Sequence, residues 1–179
     1  MTQTQLEYAN VMTICREIFE KKTLDYGLSW RILRPSSLTD QLFIKAQRIR
    51  TIQETGKNLV GESFEDAFQA IVNYCIMAII QVRAPADIQD NMTTAAAIAH
   101  YDQIAAEAKA LMERKNHDYG EAWRDMRVSS LTDLILSKIL RIKQIEDNAG
   151  ETKVSEGVEG NYFDMLNYSV FALIHLQNC

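Results

Sequence analysis

Apolar residues recur at helical spacing along most of the chain. Leu6, Val11, Ile14, Ile18 and Phe19 keep a period of about 3.6 and predict a first helix running to Lys22, after which Asp25-Tyr26-Gly27 supplies a stop with a glycine suited to a left-handed turn. Leu38, Leu42, Ile49 and Ile52 predict a second helix to about Glu54, opened by Ser37-Leu38-Thr39-Asp40, which resembles a capping box with Asp in place of Glu. Gly56 and Gly61 then interrupt the pattern. From Glu62 to Gln81 the residues Phe64, Phe68, Ile71, Val72, Cys75, Ile79 and Ile80 form an apolar face broad enough for a helix buried on most sides.

The same plan occurs twice. Asp25-Tyr26-Gly27-Leu28-Ser29-Trp30-Arg31 matches Asp118-Tyr119-Gly120-Glu121-Ala122-Trp123-Arg124 at an offset of 93, and 13 of the 24 positions from Asp25 to Arg48 are identical between the copies. Unrelated sequences of ordinary composition would share about one or two. One inserted residue later the offset is 94, pairing Glu62 with Glu156, Glu65 with Glu159 and Asn73-Tyr74 with Asn167-Tyr168. The second copy therefore predicts helices over 93–116, 130–147 and 159–177. Val82 to Asn91, with Pro85 and two Asp, has little periodicity and reads as a linker, giving repeats 1–83 and 92–179 joined by 84–91. A three-helix repeat with so apolar a third member buries little by itself, so the two repeats are expected to pack about a pseudo-twofold axis into one all-α helical bundle.

Composition supports helices and narrows the partners. Seven Gly and two Pro in 179 residues are too few for many short strands and turns. Nineteen Lys and Arg against 24 Asp and Glu give a net charge of −5, which disfavours a groove tracking a nucleic-acid polymer but leaves room for a small phosphorylated ligand. Cys15, Cys75 and Cys179 form no CxxC, so two core thiols and one exposed end in a reducing compartment are expected. No apolar run is long enough to cross a bilayer, and a cytoplasmic protein without a membrane partner is expected.

Lys45 and Arg48, like Lys138 and Arg141, stand three apart on one helical face and could hold phosphate oxygens, with Arg31, Arg34, Arg124 and Arg127 just before the same helices. A solvated basic face pairing with Asp40 or Asp133 reads equally well. Glu62, Glu65 and Asp66 in the first repeat, and Glu156, Glu159 and Asp164 in the second, are the metal candidates, because Mg²⁺ takes carboxylates together with substrate phosphates. Acidic enrichment in the first turn of a helix explains the same residues without a metal. Tyr26, Trp30, Tyr119 and Trp123 either stack on a base or plug the turn onto the core. Asn73 and Asn167, inside apolar helices, need a helix partner or a ligand. The three histidines show no metal-ligand spacing.

Lys115-Asn116-His117-Asp118-Tyr119-Gly120-Glu121-Ala122-Trp123, then Lys138-x-x-Arg141 and Asn167-Tyr168, resembles the nucleotide modification associated domain 1 family, formerly a domain of unknown function. The first repeat, with Lys22 to Trp30, Lys45, Arg48 and Asn73-Tyr74, looks like a second version of it. Such domains are in turn similar to the all-α nucleoside triphosphate pyrophosphohydrolases of the MazG and dimeric dUTPase type, whose helical carboxylates hold Mg²⁺. That pattern places two acidic residues four apart: here Asp66 is followed by Ala70, and Asp164 is preceded by Gly160, so each repeat keeps one. The resemblance implies a small-molecule nucleotide as ligand, Mg²⁺ as cofactor and pyrophosphohydrolase activity; a non-catalytic nucleotide-binding or scaffold module is the alternative. Association into a homo-oligomer stays open.

Overall fold

The structure, a computed structural model, describes residues 1–87, 89–152 and 157–179. Helices α1 (Gln3–Tyr26), α2 (Pro35–Thr55) and α3 (Phe64–Arg83) form the first repeat, and α4 (Thr94–Tyr119), α5 (Val128–Asp147) and α6 (Val158–Gln177) the second. A short 3₁₀ turn, Ser29–Ile32 or Ala122–Asp125, joins the first two helices of each. No strand is present among the described residues.

Local chemistry sets the helix ends. Thr2 caps α1 through a reciprocal pair with Gln5: its hydroxyl accepts from the Gln5 N–H at 3.2 Å, and the Gln5 amide oxygen accepts from the Thr2 N–H at 2.9 Å. The expected stops hold, with Gly27 and Gly120 both at φ +63° and their N–H groups closing onto Thr23 and Asn116. Helix α1 runs four residues past Lys22, because Thr23 is buried and its hydroxyl donates to the Phe19 carbonyl, continuing the helix.

The capping-box expectation at Ser37–Asp40 is corrected. Helix α2 starts at Pro35, whose missing N–H costs nothing in the first turn, and the Thr39 hydroxyl donates back to the Pro35 carbonyl at 3.1 Å. Helix α5 starts the same way, with Thr132 donating to Val128, so both second helices begin two residues earlier than their pattern predicts. Helix α3 begins at Phe64, where the Ser63 hydroxyl accepts from the Asp66 N–H.

Helices α2, α3, α5 and α6 make the centre, with the broadest packing between α3 and α6. Ile71, Val72, Ile76 and Ile79 on α3 and Tyr162, Met165, Leu166 and Val170 on α6 are fully buried, each aliphatic side chain contributing roughly 1.5–3 kcal/mol. Helices α1 and α4 lie outside, and each packs on the third helix of both repeats. Two buried asparagines fix this crossing. The Asn73 amide donates to the Cys15 carbonyl of its own repeat and accepts from the Tyr101 hydroxyl of the other, while Asn167 donates to Ala108 and accepts from Tyr8. The four partners are equivalent at offsets of 93 and 94, which is pseudo-twofold symmetry written in hydrogen bonds.

Arg31, 5% exposed, holds the connection between repeats. It makes a two-pronged pair with Asp90 at 3.0 and 3.1 Å and donates to Gln81 and the Ala84 carbonyl. Cys15 and Cys75 are buried and Cys179 is exposed, as expected. No helix among the described residues is long and apolar enough to cross a membrane.

Candidate functional site

Equivalent faces of the two repeats carry the candidate residues, and the repeats have diverged there. In the first, α2 presents Lys45 and Arg48 towards the loop before α3. Lys45 Nζ lies 2.9 Å from Glu62 Oε1, and Arg48 pairs with the other Glu62 oxygen at 3.6 Å. Arg48 also donates to the Glu62 carbonyl and to Asn58, both at 2.9 Å, so it ties down the loop that delivers Glu62. Lys22, Lys45, Glu62, Asp66 and Asn73 line a cavity of about 430 Å³. Asp66 is exposed at its rim, with no side-chain partner among the described residues.

In the second repeat Asp164 stands one helical turn beyond the position of Asp66, which Gly160 occupies. Asp164, 8% exposed, is gripped by Lys115 at 2.6 Å and Lys138 at 3.0 Å. Both lysines line a larger basin of about 940 Å³, together with Arg50 from α2 and the exposed Arg141. Arg141 makes no ion pair or hydrogen bond among the described residues. Asn161 and Gln144 add amides to the wall, and Leu136, Leu140 and Ile145 add apolar surface. Nearby, burial and the charge of Asp164 raise the Tyr168 phenol above its ordinary value, which keeps it a neutral hydroxyl.

The other candidates scatter. Glu65 is exposed with no side-chain partner among the described residues, and Glu159 is paired with Arg83, 3.1 Å from its Nε. Glu156 lies outside the described residues. Arg31 serves the inter-repeat connection, and Arg124 donates to Thr4 and Glu7 while lying 4.5 Å over the Trp123 ring. Arg34 and Arg127 are exposed N-cap residues of α2 and α5, not among those lining the two cavities. Asn73 and Asn167 are engaged inside the bundle. Tyr26 and Tyr119 are exposed, and Trp30 and Trp123 are buried against the core. Burial pushes the Cys15 thiol up to about 12 and raises Cys75 as well, leaving neither a nucleophile.

The carboxylates named as Mg²⁺ candidates differ in how free they are: Glu65 and Asp66 are exposed without side-chain partners among the described residues, whereas Glu62 and Asp164 are paired. Such an ion needs carboxylate oxygens free to face it. Glu62 and Asp164 are already neutralised by two cations each, and no group of three or more His, Cys, Asp or Glu able to hold a metal occurs among the described residues. The arrangement also offers cations whose carboxylate partners an incoming anion could replace.

Lys22, Lys115 and Arg50 were not picked out by the i, i+3 pattern. Lys22 and Lys115 obey the 93-residue offset, so the repeat itself carried their signal; Arg50 reaches the basin of the other repeat only through packing of α2 on α5.

Residues 22–82 and 115–176 each match the domain family described as Nucleotide modification associated domain 1. No curated protein and no solved structure matches the chain at a significant level.

Proposed function

The chain belongs to the Nucleotide modification associated domain 1 family, which it carries in tandem, and on that premise we propose that it binds a nucleotide through its phosphates. One observation carries the proposal: four cations, Arg50, Lys115, Lys138 and Arg141, against two carboxylates, Asp133 and Asp164, line a cavity of about 940 Å³ in a chain whose net charge is −5. Local positive charge inside an acidic protein draws and orients a polyanion. Arg141 meets the phosphates first, Lys138 and Lys115 exchange part of their contact with Asp164 for phosphate oxygens, and the apolar and amide wall receives the nucleoside.

Titration calorimetry with nucleoside mono-, di- and triphosphates in EDTA tests this. Binding should strengthen with phosphate number, and Lys138→Ala and Arg141→Ala should each weaken it about tenfold or more, the loss of a charge-assisted contact. Asp164→Asn, which keeps the shape and removes the competing charge, should tighten it. A Mg²⁺-dependent pyrophosphohydrolase of the MazG-like kind is the rival that the same variant separates. There Asp164→Asn would abolish a metal-dependent release of pyrophosphate.

A further inference from the structure

The two tryptophans occupy equivalent places, yet only one is completed by the protein. Trp123 is covered by the ring of Phe171, stacked at 4.3 Å between centroids and 5° between planes, and its indole N–H donates to Asn116 at 3.2 Å. In the first repeat Met77 stands at the place of Phe171 and Thr23 at the place of Asn116. The Thr23 hydroxyl is spent on the Phe19 carbonyl at 2.7 Å. The Trp30 side chain is therefore 9% exposed with a buried Nε1 that has no hydrogen-bond partner among the described residues. An orphaned buried donor costs about 1–3 kcal/mol, so something is expected to accept from it.

A cavity of about 420 Å³ lies where the second repeat is filled. Trp30, Phe19, Tyr26, Tyr74, Thr23 and Met77 are among its walls, so the residues equivalent to Asn116 and Phe171 both border this cavity. It adjoins the cavity of Lys45, Glu62 and Asp66, sharing Phe19, Lys22, Tyr74 and Met77 with it.

We propose that the first repeat holds a slot for a nucleobase, which stacks on Trp30 as Phe171 stacks on Trp123 and accepts the Trp30 N–H on a ring nitrogen or carbonyl oxygen. A flat heteroaromatic ring supplies both missing elements at once, the stacked face and the acceptor, whereas an aliphatic ligand supplies neither. Met77 is unbranched and can swing aside to admit the ring. Lys22, on the shared wall, sits at the mouth, where a sugar or phosphate would emerge. The identity of the ring rests on the reading of the chain as a nucleotide binder; the slot itself does not.

Uncharged nucleosides separate the two claims, since they carry no phosphate. In Trp123→Phe, Trp30 is the sole tryptophan and is excited selectively over the tyrosines, and a panel of purine and pyrimidine nucleosides should include at least one that quenches it saturably, with the quench lost on adding Met77→Phe, which fills the slot. Inorganic tripolyphosphate should bind without that quench. Because Trp123→Phe removes a buried stack and can harm folding, the same nucleosides are followed in the wild-type chain by the NMR signal of the labelled Met77 methyl, which should shift. If no nucleoside moves either probe at millimolar concentration, or if Met77→Phe leaves the quench intact, the slot does not exist, while tripolyphosphate binding would still support the phosphate reading. Nucleoside binding without any response to tripolyphosphate would overturn the phosphate reading and keep the slot.

Discussion

The hydroxyl of Tyr8 donates to Asn167 Oδ1 at 2.7 Å, and the equivalent pair, Tyr101 and Asn73, repeats the distance. Each bond runs from the first helix of one repeat to the third helix of the other, deep in the core. Burial raises both phenols well above their ordinary value, so the hydroxyls stay protonated donors at any physiological pH. These contacts tie the two repeats together across the core.

Tyr8→Phe and Tyr101→Phe should each cost about 1–3 kcal/mol, the penalty for leaving a buried amide oxygen without its donor. For a chain of this size that corresponds to a fall in melting temperature of roughly 2–12 °C. Matching losses from the two variants are expected because the sites are equivalent; a change under about 0.5 kcal/mol in either would mean that the bond does not hold the repeats together.

Glu146 breaks the symmetry at another contact. It occupies the place of Gln53: Gln53 donates to Thr132, whereas the Thr39 hydroxyl lies 3.2 Å from a Glu146 oxygen. Burial raises the Glu146 pKa, with Asp40 and Asp147 adding to the rise and the Thr39 bond opposing it. The folded state therefore binds its proton more tightly than the unfolded chain, and stability falls as pH rises through the window between the two values. Glu146→Gln removes this loss and should raise the melting temperature by roughly 1–3 °C at pH 7, with the gain vanishing below the ordinary carboxylate range. Thermal melts across pH 3–8 check the window, and a gain that persists unchanged in acid would rule out ionisation as its source.

Asp90 behaves in the opposite sense. Its bond to the Arg31 guanidinium holds the carboxyl below the usual range, against a smaller opposing effect of desolvation. The stabilisation is present above the unfolded value and is lost only as pH falls through the lower folded one. Asp90→Asn should destabilise the chain at neutral pH and make no difference once acid has protonated the wild-type residue. Urea unfolding of both chains at pH 7 and at successively lower pH distinguishes this from a purely steric effect, whose difference would not shrink as the pH falls.

Much of this was legible in the sequence. The 93-residue offset carried the duplication, the helix order, the turn glycines and the pairing of Lys45 with Lys138, because each repeat must solve the same packing problem. Helix starts were less so: Ser37-x-x-Asp40 looks like a cap, but Pro35 already has helical backbone geometry and no N–H to satisfy, and the first turn forms on it. The site was half legible. The exchange of Asp66 and Ala70 for Gly160 and Asp164 is visible as letters, yet only the fold shows that Asp164 is caught between two lysines. Met77 and Phe171 read as ordinary core residues. Their importance appears once α3 and α6 place them against Trp30 and Trp123.

The most direct test of the central claim is calorimetric titration of nucleoside triphosphates into the wild-type chain, once in EDTA and once in Mg²⁺, with released pyrophosphate assayed on the same samples. Saturable binding in EDTA that weakens with added salt, with no pyrophosphate in either condition, is the predicted result. Absence of binding in EDTA, with Mg²⁺-dependent binding and pyrophosphate release, would contradict it and make the carboxylates metal ligands.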